Sequence, residues 1–441
     1  MPIEDGEHIR DVHESIILLL EGETQRPHHP LQSKSTICRV PGTLRDLNPT
    51  AYAPQIISIG PLHREDLRLK AMEEHKVTYM LKLFQRIDES TDMNVEHILR
   101  KCVQAMFGLV TRTRACYAES FKSYDDSRLA EMMLIDGCFI LELLYRFQYP
   151  PAEGDPIFDN ILVAHGIKND LLLLENQIPF FVLEILFRLT VKHFLNNTSL
   201  TDLVLNFLKD MNIIKDSKLI LTNETMDHGH ILGLFQSCYG GNHPLTGGIP
   251  TISYSATEID VAGVKFKAQT DGDSLLAVEF KKSSFLPWLI TCGFISTNFK
   301  LPVLCIMDST PSLLRNLIAY EQCYPWSRQY VTSFAFLMYK LIDNNNDVKL
   351  LGGSKIIQHH LGASEDVTNL FNNICNGVVP GNIYYTEEWT KLNEYCHGYW
   401  PSMWIWLRRL YRSTKWKTIT VIAAMLIFLM TLFEIIHHYN G

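Results

Sequence analysis

Cysteine is scarce in this chain: ten occur in 441 residues, and no two form a CxxC pair. That density lies far below a disulfide scaffold and the spacing does not suit a zinc knuckle, so the thiols are expected to be reduced and mostly buried. Positive charge is also in deficit, with 40 Lys and Arg against 48 Asp and Glu and a net charge of −8. A nucleic-acid partner is therefore not expected, because binding to phosphate backbones needs a basic surface. The opening residues are not expected to act as a secretory leader: Glu4, Asp5, Glu7, Asp11 and Glu14 crowd them, and the apolar stretch at 16–20 is too short.

Catalytic signatures are missing as well. GGNHPLTGG at 240–248 and GGSK at 352–355 do not satisfy the phosphate-loop pattern GxxxxGK[ST], and both read as turns. There is no GxSxG elbow, no HExxH helix and no protein-kinase set, so the chain is not expected to be an enzyme and no cofactor is implied. Histidine is plentiful at 17, but the pairs His28/His29, His359/His360 and His437/His438 are adjacent and cannot share a helix face. His228 and His230 in DHGH lack an indicated third ligand, so no metal is expected.

What is present is a globular chain, 46% hydrophobic and 20% charged, whose apolar residues recur mostly at helical spacing. Residues 1–36 include EGETQRPHHPLQSKST and read as a flexible segment. In 37–63, prolines at 41, 49, 54 and 61 forbid a continuous helix and predict an extended segment wrapped over a core. Helices are predicted at about 69–88, 95–121, 126–147, 203–211, 312–322, 334–342 and 365–376. The very apolar DLLLLENQIPFFVLEILFRL at 170–189 reads as a buried helix pair broken at Pro179, because its charges make a membrane span costly. Alternation in VKFKA at 264–268 and the apolar LLAVEF at 275–280, divided by DGD, predict a small antiparallel sheet near 247–307. The fold class is mainly α with a small antiparallel β insertion: a large helical globular domain over 37–400 plus one C-terminal transmembrane helix.

That last expectation rests on ITVIAAMLIFLMTLF at 419–433, extended to 436, which as a helix would run ~27 Å against a bilayer core of ~30 Å. Trp416, Ile419, Val421, Leu426, Phe428, Leu432 and Phe433 are the predicted anchor side chains. A juxtamembrane segment, 401–418, supplies Arg408, Arg409, Arg412, Lys415 and Lys417 among aromatics, and 437–441 forms a short tail. The expected partners are thus a lipid bilayer, through the C-terminal helix, and an unknown protein. The cation bias places the N-terminal body in the cytoplasm, and the opposite orientation stays open because long domains translocate despite such bias. Sequons at Asn196, Asn197 and Asn223 would be used only in the second case.

Three polar islands interrupt apolar helices: Asp136 in MMLIDGCFILELL, Glu175, Asn176 and Gln177 in LLLLENQIP, and Glu321 with Gln322 in LIAYEQ. They are expected to hydrogen-bond helix ends and breaks. The alternative is a buried acid/base pair, Glu175 with Asp136 or Glu321, which requires their carboxyl groups to converge on a pocket.

The same islands carry a resemblance. CRVP…LNPTAYAPQIISIGPLH, MEEHKVTYM, MMLIDGCFILELL, DLLLLENQIPFFVLEILF, ATEIDVAGVKFK, LLRNLIAYEQ and DVKLL, followed by a terminal apolar helix, occur in one order from about Cys38 onward. This pattern resembles the plant family called domain of unknown function 247. The resemblance implies a largely helical plant protein, single-pass at its C-terminus in the plasma membrane or an endomembrane, with no established enzymatic activity and no catalytic residues to carry over. Some grass members of that family are pollen-side determinants of self-incompatibility, and others are implicated in stress or development. A membrane-anchored recognition module is therefore expected, with a cytosol-facing signalling adaptor as the alternative.

Overall fold

The computed structural model describes residues 36–90, 94–121, 123–150, 154–195, 197–215, 217–221, 228–241, 254–269, 274–282, 297–324, 328–381, 383–398, 401–403, 406 and 415–439. The segment 1–35, His28 and His29 within it, the sequon residues Asn196 and Asn223, most of GGNHPLTGG, and Arg408, Arg409 and Arg412 lie outside the described residues.

In chain order the helices begin with α1 (Gly42–Arg45), α2 (Ala71–Ser90), α3 (Val95–Ala115), α4 (Asp126–Gln148), α5 (Ile161–Asp170), α6 (Phe180–Leu189) and α7 (Leu200–Phe207). After these come α8 (Ile231–Ser237) and α9 (Ala256–Val261), then β1 (Val264–Gln269), β2 (Glu279–Lys281), β3 (Thr297–Pro302) and β4 (Leu304–Ile306). The chain closes with α10 (Thr310–Cys323), α11 (Tyr330–Leu341), α12 (Asn345–Gly353), β5 (Ile357–His359), α13 (Ser364–Ile374), α14 (Thr386–Cys396) and α15 (Lys415–Tyr439).

Helix α4 is central because its sequence has no polar stripe: nearly every side chain from Leu129 to Leu144 is buried. A helix that is apolar all round must be covered all round, and α2, α3, α6 and α7 all pack on it. Gly137 permits the contact with α6, since a Cβ there would lie 2.4 Å from Leu186 Cδ1. Asn94 and Asp125 start α3 and α4 by accepting from the amides of His97 at 3.1 Å and Arg128 at 2.7 Å. Helix α3 stops at Ala115, short of the predicted end near 121. The incoming N-terminal segment captures its C-terminus: the amides of Thr36 and Ile37 donate to Cys116 O, both at 3.0 Å, and Ala118 N donates to Ile37 O at 2.9 Å. A second group of helices, α10, α11, α12 and α13, packs next to α8 and α9. One set of buried side chains runs continuously from Ile140 of α4 to Phe334 of α11.

The β expectation needs correction. β1 pairs parallel with β3, β2 pairs antiparallel with β3, and the order β1-β3-β2 makes a mixed sheet rather than a small antiparallel one. A second two-stranded ladder, β4 with β5, is parallel and joins segments on either side of α10 to α12. Parallel pairing needs a long crossover, which local alternation in 264–280 does not reveal.

The C-terminal expectation is overturned. Among the described residues, no helix is long and apolar enough to cross a membrane. Leu426, Phe428, Leu432 and Phe433 are exposed on α15, whereas Lys415, Trp416, Lys417, Ile419 and Val421 belong to it without described side chains. The transmembrane helix, the bilayer as a partner, the single-pass placement and the orientation argued from it are accordingly not supported.

Candidate functional site

Residues 37–63 form a strap across the helical body. Pro41 precedes the single turn of α1 and Pro49 opens a short 3-10 turn, so the prolines leave the strap no helix longer than one turn. Its backbone amides must still be satisfied where they are buried, and the polar islands do this.

Glu175 holds the start of the strap. One carboxyl oxygen accepts from Val40 N at 2.8 Å and from the Arg45 guanidinium, and the other faces His63 Nε2 at 3.1 Å and Arg39 Nη1 at 3.5 Å. Burial pushes this carboxyl up, but the hydrogen bonds from His63 and Val40 and the charge of Arg45 outweigh it and leave the group below its ordinary value. Asp170, the last residue of α5, holds the middle: Oδ2 accepts from Ile56 N at 2.6 Å and Ile57 N at 2.8 Å, and Oδ1 from Gln55 N at 2.9 Å. Here burial dominates, raising the carboxyl to about 6 against the three amides that favour its anion. Asn176 continues the series, accepting from Ile59 N at 2.7 Å while donating to Ile57 O at 3.0 Å and Asp170 O at 2.9 Å.

Asp136, fully buried on α4, receives the end. Gly60 N donates to it at 2.8 Å, Lys76 Nζ at 2.8 Å and Arg64 Nη1 at 3.2 Å. Lys76, itself fully buried, also donates to Ser58 O and pairs with Glu73 at 2.8 Å, while Arg64 reaches Glu73 at 2.6 Å. Two carboxylates and two cations thus form a neutral cluster under the strap. Gly60 is a backbone requirement: its φ is +72°, and a Cβ would stand 2.5 Å from Gln177 O.

The LENQ stretch is a buried loop rather than the end of a predicted helix. Gln177 Nε2 donates to Leu171 O at 2.7 Å and Leu173 O at 2.8 Å, its Oε1 accepts from Leu232 N at 3.3 Å, and Asn316 Oδ1 accepts from Leu174 N at 2.9 Å. These side chains replace the hydrogen bonds a helix would have supplied, which lets Leu171–Leu174 sit in the core without secondary structure. Loops are seldom buried for want of such partners.

Glu321 stands in a different place. It accepts from Gln236 Nε2 at 2.6 Å and from the first amides of α11, Val331 N at 3.0 Å and Thr332 N at 2.7 Å; complete burial raises it to about 7. Gln322 accepts from Val379 N at 2.9 Å, and its buried Nε2 has no partner among the described residues. Every carboxyl oxygen of Asp136, Glu175 and Glu321 therefore already has a donor. His230, pushed down to about 4 by burial, engages both ring nitrogens: Nδ1 accepts from Gly233 N at 3.2 Å and Nε2 contacts Thr36 O at 3.0 Å. Among the described residues, no three His, Cys, Asp or Glu side chains group as a metal site.

The structure adds Asp170, Lys76, Arg45, His63 and Arg64 to the site. Only Lys76 had a signal, since it falls in the buried phase of α2 with Tyr79, Leu83 and Ile87, the position that periodicity alone shares between Lys76 and Val77.

A family model described as a plant protein of unknown function, DUF247, matches residues 37–430 and so begins at the strap. UPF0481 protein At3g47200 of Arabidopsis thaliana is 30% identical over 431 residues, spanning 90% of this chain and 85% of the relative. Putative UPF0481 protein At3g02645 of the same plant is 23% identical over 496 residues, spanning 92% and 91%. No solved structure matches the chain. With its strap, its clamping islands and both helical groups inside the matched region, the chain belongs to the DUF247 family of plant proteins of unknown function.

Proposed function

We propose that this protein is a non-catalytic recognition module that binds another protein, in pollen–stigma recognition as the finer reading. The carboxylates that an enzyme reading would recruit are engaged in holding the strap and the start of α11, which supports a structural role for them. The observation that carries the reading is the outer surface of α2 and α3. Both helices lie on α4 with Tyr79, Leu83, Ile98, Cys102 and Met106 buried, yet they expose Val77, Leu81 (61%), Leu99 and Phe107 (47%). Large apolar side chains kept in water on neighbouring elements are common at protein-binding surfaces. Leu81→Asp combined with Phe107→Asp tests it. Crosslinked purification from plant tissue followed by reconstitution with the purified partner should give a defined complex for the parent chain, weakened at least 10-fold in the variant with its unfolding midpoint unchanged within about 2 °C. A partner that binds parent and variant equally overturns the assignment of this surface, and a substrate turned over by the purified chain overturns the reading itself.

A further inference from the structure

We propose that Arg315 of α10 is an oxyanion site, at which the guanidinium receives the carboxylate of a ligand at the seam between α10 and the strap. Its mark is a charge without a counter-charge. Among the described residues, every other Lys or Arg whose side chain is buried or half-buried is paired with a carboxylate, as Arg45 is with Glu175, Lys76 with Asp136 at 2.8 Å, Arg86 with Glu142 at 2.8 Å and Lys168 with Asp210 at 2.7 Å. Arg315, also half-buried, forms no ion pair among them, and its Nε is buried without a hydrogen-bond partner.

Hydrogen bonds fix where this cation stands. Ser312 Oγ and Asn316 Nδ2 both donate to Ala51 O at 2.7 Å, so the turn of α10 that carries Arg315 lies against the strap. Tyr52 follows Ala51 and is buried there, and its hydroxyl has no hydrogen bond among the described residues. The strap offers no spare acid: Glu175 is taken by Arg39, Arg45 and His63, and Glu119 is paired with Arg39. Burial pushes the Arg315 guanidinium below its ordinary value, with the Tyr52 hydroxyl acting the other way. A guanidinium nevertheless keeps its proton in a protein, so the charge stays and is poised for an anion that a ligand brings.

The size of the unmet charge selects the ligand. One guanidinium supplies one positive charge and a planar fork of N–H donors, which a carboxylate matches in both charge and shape. A phosphate monoester brings about −1.5 to −2 near neutral pH, and no second unpaired cation is buried or half-buried among the described residues to meet the surplus. Keeping the cation unpaired also destabilises the fold, since an apolar side chain of similar volume would leave no half-buried charge. A binding role is thereby separated from a structural one, because an arginine that served only the fold would lower stability when replaced. The site shares no residue with the exposed surface of α2 and α3.

The test uses the full chain with two carboxylate probes, benzoate as a free acid and an end-capped peptide with a single glutamate as a peptide-borne one, and inorganic phosphate for contrast. Calorimetric titration should show at least one carboxylate binding the parent with a Kd of about 1 mM or tighter, and saturation should raise the unfolding midpoint. Binding of benzoate alone assigns a small acid as the ligand class and binding of the peptide assigns a protein-borne carboxylate; both support the site. Arg315→Met should weaken carboxylate binding at least about 10-fold and raise the ligand-free midpoint by about 1 °C or more. Arg315→Lys keeps the charge without the fork and should bind with intermediate strength. The proposal is overturned if neither carboxylate binds, if Arg315→Met binds as tightly as the parent, or if phosphate binds more tightly than both carboxylates. It is equally overturned if ligand-free Arg315→Met unfolds at a lower midpoint than the parent, because the fold by itself would then hold the guanidinium.

Discussion

Replacing Asp136 by Leu removes the carboxylate that receives Gly60 N, Lys76 and Arg64. Arg64 retains Glu73, but Lys76, fully buried, keeps only that same residue, which is 27% exposed, and the Ser58 carbonyl. Breaking a buried pair by removing one partner costs about 3–5 kcal/mol, because the other charge stays out of water, and an orphaned buried amide adds about 1 kcal/mol or more. Lys76→Met should cost less, about 2–3 kcal/mol, since Asp136 keeps the Arg64 guanidinium and the Gly60 amide. In the double variant the two buried charges disappear together, so it should lose no more than the Asp136→Leu variant alone. The coupling energy in the cycle is then at least about 2 kcal/mol. Urea unfolding followed by tryptophan fluorescence at fixed pH measures all four corners. A loss below about 1 kcal/mol for Asp136→Leu, or strict additivity in the double variant, would refute the claim that this cluster anchors the strap as a charged unit.

Gly60→Ala combines a φ of +72° with a Cβ 2.5 Å from a backbone oxygen, and it should destabilise by about 2 kcal/mol or more, read by the same urea titration. The buried Glu321 sets a pH dependence. Its carboxyl, ordinarily near 4.5, stands at about 7 when folded, so the native state holds more protons than the unfolded state between those values. Its stabilising contribution is present below 4.5 and is lost as pH rises to about 7, a change of ~3 kcal/mol. Glu321→Gln should remove that slope, and subtracting its pH profile from the parent's cancels the opposite slope of His230, which is neutral in the fold down to about 4. Superimposable profiles would show that Glu321 is ionised through this range.

The enzyme alternative required buried carboxylates that converge and remain available. Asp136 and Glu175 do share one element, since both grip the strap, but their oxygens are occupied by its amides and by Arg45, Lys76 and Arg64. The membrane expectation rested on the hydropathy and length of 419–436 and on the aromatic and basic residues that precede it. Among the described residues that criterion is not met by any helix, and the exposed apolar side chains of α15 have no assigned role.

Local chemistry determined much of this protein in advance. The largely apolar character of 129–144 made α4 central, Asn94 and Asp125 set helix starts, and four prolines between 41 and 61 kept helices in the strap to single turns. These follow from the sequence because periodicity, capping and the geometry of proline act over a few residues. Only the tertiary structure decided which islands meet which backbone: Glu175 with Val40, Asp170 with 55–57 and Asp136 with Gly60. It also decided that β1 runs parallel to β3. Each of these pairings joins positions far apart in the chain. Hydrogen bonds and charge pairs carry no mark of their partner in sequence, and folding selects the partner through burial, where an unmatched polar group costs more than the matched pair returns.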